Sequence, residues 1–329
     1  MTRRALVPPA YFGKLKSRGD FVRSGSQPTL IRTLDDWLSQ GIELMSADPR
    51  WKEIYDRSPS AHFAFFSASS QRAIAGHLAA SADASGRRFP FVVAGAFDVA
   101  EPLAFLPCAP MALSRLWARF EQSVQNVCAA EDATALLAEI AQVEVELDVE
   151  AGAYEASMRD FIELQTMSSL EGMLRSAGHQ IDLRQALLAI GLLLQPVLGS
   201  TGVSLKKGLR LPLPSDPLYR PLVASFWLEL IVPFLRRLDL EIALFLPRRG
   251  GAPAQFLAIG FSGGSAAHLH AVLDADVAAD AFIDPSPAEW VEDQVRQDYA
   301  VTKLSSYLVQ SQLSLRQAMA TFRETFLGE

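Results

Sequence analysis

Apolar and polar positions follow two different rhythms along this chain. Between residues 28 and 47, Leu30, Ile31, Leu34, Trp37, Leu38, Ile42 and Met45 recur at helical spacing, with Pro28 near the start. A short strand is predicted just before, over Ala10–Leu15, closed by the polar loop Lys16–Asp20. A second short helix is predicted over Pro49–Asp56. Strand-like pieces follow at His62–Ser67, Ala73–Ala82 and Phe89–Phe97, and the polar turn Asp83–Gly86 between the last two makes the run antiparallel. From Pro110 the rhythm changes, and helices are predicted over 110–128, 131–147, 152–177 and 182–198. The acidic VEVELDVEAG closing the second of these marks a domain boundary. Strand signals return at Val203–Leu213, Leu240–Leu246 and Phe256–Phe261. A helix at 217–237 lies between the first two, reached through Pro212, Pro214, Pro217 and Pro221. The tail reads as helical over 288–298 and 301–327. The expectation is an α/β protein in two lobes, residues 1–148 and 149–329, each with its own small sheet.

Composition narrows the function classes. At 329 residues, half of them hydrophobic and a fifth charged, the chain can bury a sizeable core. A net charge of −7 and a pI near 5.4 leave no electrostatic footprint for nucleic acid. The basic pairs Lys206-Lys207, Arg236-Arg237 and Arg248-Arg249 read as solvated loop or helix ends. The N-terminal MTRRALVPPAYF has no apolar segment of the signal-peptide kind. The most apolar run, Ala186–Leu194, is nine residues long, and 221–235 is broken by Glu229 and Pro233. A membrane helix needs about twenty apolar residues, so no membrane insertion is expected. Cys108 and Cys128 permit one disulfide but make no disulfide framework. Together these features read as a soluble, reduced, cytoplasmic protein.

One stretch has the look of an enzyme. FLAIGFSGGSAAHLH, residues 256–270, sets Gly260-Phe261-Ser262-Gly263-Gly264 between a strand and a helix, the arrangement of a nucleophile elbow. In that fold the acid and then the histidine follow the serine. Here only His268 and His270 follow, on the helix that leads away from it, while His62, His77 and His179 precede it. The expected role is therefore a tight glycine-rich turn, with the Ser262 hydroxyl dispensable. His268 and His270 are two apart on a helix and face different ways, so no shared metal is expected. Ser204-Leu-Lys206-Lys207 matches S-x-x-K without its companion motifs. Asp35-Asp36 and Asp274-x-Asp276 read as solvated acids. No cofactor and no metal is implied.

The N-terminal loops are more distinctive. Phe12-Gly13-Lys14-Leu15 and Ser17-Arg18-Gly19-Asp20-Phe21-Val22-Arg23 resemble the opening motif of the TagF (ImpM) family, with Lys16 standing where the family motif has Pro. Asp36-Trp37-Leu38, then Pro59 with Phe63, then Ser81–Pro90 (SADASGRRFP) resemble three further blocks of that family in the same order. The likeness is specific over 11–97 and loose over 150–329. It implies a three-layer α/β/α sandwich with a mixed sheet. It also implies a nonenzymatic accessory role in bacterial type VI secretion, namely post-translational repression through binding of the system's cytoplasmic forkhead-associated scaffold protein. The alternatives are a serine hydrolase using Ser262, or a structural subunit of the apparatus. The residues that carry the likeness, Lys14, Ser17, Arg18, Gly19, Asp20, Asp83, Gly86, Arg87 and Arg88, are expected either to bind the partner or to fix the fold. Their complementary charges predict adjacent loops, paired as Asp20 with Arg87 or Arg18 with Asp83.

Overall fold

The computed structural model describes residues 4–198, 205–248 and 255–329. The first two residues of the expected 203–213 strand, Ser204 of the S-x-x-K match and Arg249 lie outside the described residues. The strands are β1 (Arg4–Val7), β2 (Pro9–Gly13), β3 (Val22–Arg23), β4 (Ser60–Ser67), β5 (Arg72–Ala79), β6 (Phe91–Asp98), β7 (Val145–Asp148), β8 (Gly208–Leu213), β9 (Glu241–Arg248), β10 (Gln255–Gly260) and β11 (Phe282–Ile283). Nine of them form one mixed sheet in the order β11-β8-β10-β9-β4-β5-β6-β2-β3. Among the described residues only the β11–β8 pair is parallel.

This corrects the expectation of one small sheet per lobe. β4 from the first half pairs with β9 from the second along its whole length, from Ser60↔Arg248 to Ser67↔Glu241. The reason lies in β4 itself, which is buried on both faces along most of SAHFAFFS. Two separate sheets would leave it an apolar edge strand, which proteins avoid.

The sheet alternation feeds two cores, giving the α/β/α layering. In β6, Val92, Ala94 and Ala96 face one core, packed by Leu34, Trp37 and Leu38 of the helix Pro28–Met45 and by Leu269 of the helix Ala266–Leu273. Phe91, Val93 and Phe97 face the other, built on the helices Ser114–Ala129, Leu183–Leu198, Tyr219–Leu235 and Leu315–Leu327. The Tyr219–Leu235 helix is buried nearly all round, because other helices and β8 surround it. No helix among the described residues is long and apolar enough to cross a membrane.

Several long expected helices are shorter or interrupted. The 131–147 helix ends at Gln142, and Val145–Asp148 is strand β7, paired with β1 from Arg4↔Asp148 to Val7↔Val145. The period-two alternation of VEVELD explains the switch. The 152–177 region divides at Gln165-Thr166, where Thr166 and Ser169 form a reciprocal capping box for Met167–Ser176. Ser314 and Gln317 do the same for Leu315–Leu327, dividing the tail. Pro102, Pro107 and Pro110 step the helical segment before Ser114 into short turns.

Candidate functional site

The two signature loops leave neighbouring strands of the sheet. β2 ends at Gly13, whose φ of +134° and contact geometry exclude a side chain, since a Cβ there would lie 2.0 Å from the Pro90 carbonyl oxygen. The chain then turns, with the Arg18 N–H donating to the Leu15 carbonyl at 2.9 Å, and exposed Lys16 occupies the corner. On the β5–β6 side, the Asp83 N–H donates to the Arg87 carbonyl at 3.1 Å and the Gly86 N–H to the Asp83 carbonyl at 2.9 Å. Gly86 has a φ of +78°, which explains a glycine in this turn.

Asp83 is the hub. Its Oδ1 accepts from the N–H groups of Ser85 at 2.9 Å and Arg87 at 3.0 Å. Its Oδ2 accepts from Arg87 Nε at 2.6 Å and lies 3.1 Å from Lys14 Nζ. Both Lys14 and Asp83 are buried, a combination that is costly unless the ions are paired and hydrogen-bonded. Burial on its own would raise the Asp83 pKa. The Arg87 N–H, Lys14, the Arg87 side chain and the Ser85 N–H outweigh it and pull the carboxyl down to about 2. Lys14 Nζ also sits 4.9 Å from the centre of the Phe21 ring.

The loops are adjacent, as their charges predicted, but the partners differ. The Ala84 N–H donates to the Arg18 carbonyl at 2.8 Å, and Arg87 Nη2 to the Gly19 carbonyl at 2.7 Å. Asp20 accepts from the Phe21 N–H at 2.8 Å instead of from Arg87. Arg18 reaches away from Asp83, to Asp132 at 3.2 Å and to the Thr134 hydroxyl. Arg88 makes a two-pronged pair with Asp56 at 2.8 and 2.6 Å. The physical reason is saturation, because Asp83 has both oxygens filled by its own turn and by Lys14. The Ser17 hydroxyl oxygen is buried without a partner. Asp56, Asp132 and Thr134 join the arrangement unforeseen. So does an aromatic trio in which Phe21 stacks on Phe12 at 5.4 Å between ring centres and meets Phe89 edge-on at 4.9 Å. All three phenylalanines lie inside the quoted motifs, so their sequence signal was present. Asp132 and Thr134, more than a hundred residues away, had none.

The Gly-rich stretch is a turn between β10 and the helix Ala266–Leu273. Ser262 is exposed, and the one non-glycine residue with positive φ among the described residues is Gln27, so Ser262 is not in a strained elbow. Instead, Ser265 caps the helix, accepting from the His268 N–H at 3.2 Å, and its Oγ lies 2.8 Å from His268 Nδ1. His268 stacks on Phe282, whereas His270 points to Asp274 at 3.8 Å, so the two diverge. No group of potential ligands able to hold a metal occurs among the described residues. Gly263 has a φ of +64°, and its N–H donates to the Glu241 carbonyl at 2.7 Å. Both cysteines are free thiols, and burial pushes Cys108 up to about 12 and Cys128 to about 11.

A second buried polar cluster lies where the two halves meet. His62 on β4 and His77 on β5 are register partners, with their Nδ1 atoms 2.9 Å apart. His62 stacks on Trp117 and lies 3.6 Å from the Glu121 carboxylate, which also holds Arg248 of β9 at 3.3 Å.

Comparison with known proteins places the first half. Residues 10–143 match the family described as "TagF N-terminal domain, Type VI secretion system-associated". Among solved structures, the chain is similar to PA0076 from Pseudomonas aeruginosa PAO1 at 25% identity and a TM-score of 0.35. That alignment covers 41% of this chain and 61% of that one. Comparison with curated proteins finds no match. The signature residues, in their order along β2, the β5–β6 turn and β6, thus fall within a recognised domain: residues 10–143 match the TagF N-terminal domain family, which is described as type VI secretion system-associated.

Proposed function

We propose that this protein is a nonenzymatic, cytoplasmic repressor of type VI secretion that acts by binding the forkhead-associated scaffold protein of the system. One observation carries the reading within the family assignment. Asp83, Lys14 and Arg87 lock the two signature loops together and hold the tip Gly19–Phe21 exposed and fixed in shape. A surface ordered before binding loses little conformational freedom on association. Occupying the scaffold through such a surface would keep the apparatus from assembling.

Purified full chain should retain recombinant scaffold protein in a pull-down, and overproduction in a host should lower secretion without lowering the levels of the apparatus proteins. A chain that fails to retain the scaffold sinks the reading. The absence of catalysis is tested separately with a fluorophosphonate probe. No labelling is expected, and labelling lost in Ser262→Ala would favour a serine hydrolase.

A further inference from the structure

The two signature loops are basic on an acidic protein. Residues 14–23 and 83–88 carry six basic side chains against two acidic ones, while the whole chain has a net charge of −7. Adding Asp56 and Asp132, the outside acids that pair with the loops, still leaves two more cations than anions.

The ion pairs show which charges are committed. Lys14 is buried on Asp83, Arg18 is held by Asp132 and Arg88 by Asp56. Lys16 and Arg23 are exposed, and neither makes an ion pair among the described residues. Arg87 is bound through Nε and Nη2, yet 60% of its side chain remains exposed. Lys16 lies toward Asp56, whereas Arg23 and Arg87 flank Phe21, 42% exposed, its ring held by Phe12 and Phe89. Arg23 pairs in register with Phe12, which puts it on the face of the aromatic trio. A rigid exposed aromatic ring beside exposed cations has the makeup of an interface anchor.

We infer that this face docks an acidic segment of a partner protein, which lays an apolar side chain on Phe21 and sets carboxylates against Arg23 and Arg87. Nucleic acid fits less well. The excess of cations is small, Asp20 stands exposed among them, and the rest of the molecule repels phosphate. The inference rests on the reading of this chain as a partner-binding protein and adds the chemistry of the contact.

The test uses the full chain and three fluorescent probes, followed by anisotropy. They are a peptide alternating Glu or Asp with Phe and Leu, the same peptide with Lys for each acid, and a short DNA duplex. The acidic peptide should bind best and weaken as salt is raised. Arg23→Glu should weaken it by about tenfold, and Phe21→Ala by several-fold. The charge-reversed position is exposed and makes no ion pair among the described residues, so that variant should melt near the unmodified chain, which separates lost binding from lost folding. Phe21→Ala also loses packing on Phe12 and Phe89, and its binding is compared at a temperature where circular dichroism shows it folded. Equal binding of the acidic and basic peptides, indifference to the charge reversal, or DNA binding as tight as the acidic peptide would each overturn the inference. Retention of the scaffold protein is measured in parallel. Scaffold held equally by the unmodified and charge-reversed chains sinks the acidic contact and leaves the repressor reading intact. Acidic peptide bound with no scaffold retained does the reverse.

Discussion

Asp83 shows how much of one site hangs on a single carboxylate. It satisfies two N–H groups of its own turn, one guanidinium and one buried ammonium. Replacing it with Asn keeps an oxygen for the turn but leaves Lys14 buried with no counter-ion. Asp83→Asn should therefore lower the melting temperature by several degrees, followed by circular dichroism. Lys14→Met should be milder, because Asp83 keeps Arg87 and both N–H donors. Equal melting of Asp83→Asn and the unmodified protein would show that the lock contributes nothing. Acid has a defined sign here. The Asp83 pKa falls to about 2 on folding, so its contribution is complete above the ordinary carboxylate pKa near 4 and is lost as pH drops through about 2. At this scale the sequence was half legible. Charge type and turn chemistry brought the loops together. The choice of partner was hidden, because Asp56 and Asp132 reach the loops only through the fold.

At the scale of elements, the glycine-rich turn separates shape from chemistry. A Cβ on Gly260 would meet His268 Nδ1 at 2.5 Å, and that ring is held by Ser265 and Phe282. A Cβ on Gly264 would meet the Phe65 ring at 2.8 Å. These two glycines serve close packing, whereas Gly263 alone among the three supplies a positive φ. Gly260→Ala should cost about 1–3 kcal/mol through overpacking. Ser262→Ala, at an exposed hydroxyl, should stay within about 0.5 kcal/mol. Urea unfolding of the two variants side by side decides the matter, and the reverse ranking would mean that the Ser262 hydroxyl, not the glycine packing, holds the turn. Helices with a strong apolar signal, such as Pro28–Met45, Leu183–Leu198 and Tyr219–Leu235, were legible to within two residues. The two-residue strands β3 and β11 were not, because two residues carry no periodicity and each exists only through its neighbour. β7 had a readable alternation, masked by the helix before it.

For the molecule as a whole, the joint between the halves is the least legible feature. Pairing of β4 with β9 is nonlocal, and nothing in either segment names the other. The His62–His77 pair lies on this joint, facing Trp117 and Glu121 on the Ser114–Ala129 helix, Arg248 on β9 and Arg220 on the Tyr219–Leu235 helix. The 2.9 Å contact needs one Nδ1 to carry a proton and the other to accept it, so at least the accepting ring is neutral when folded. Burial drives both pKa values down, aided by the neighbouring arginines. His77 falls to about 3, and His62 falls well below its ordinary value. In the unfolded chain each histidine titrates near 6.5. Between those limits the unfolded state binds more protons, so stability is complete above about pH 6.5 and declines toward pH 3. Going from pH 7.5 to pH 5, His77 alone should cost about 2 kcal/mol, with His62 adding in the same direction. Asp83 cannot account for a loss in this window, because it titrates lower in both states. Urea midpoints measured across the range should slope in the unmodified protein and slope less steeply in His77→Gln, where His62, His179 and His268, all held below their ordinary pKa by burial, still contribute. A flat profile in the former, or an unchanged slope in the latter, would mean that the pair takes up its proton without disturbing the joint. The joint could then not be what ties the two halves' stability to acid.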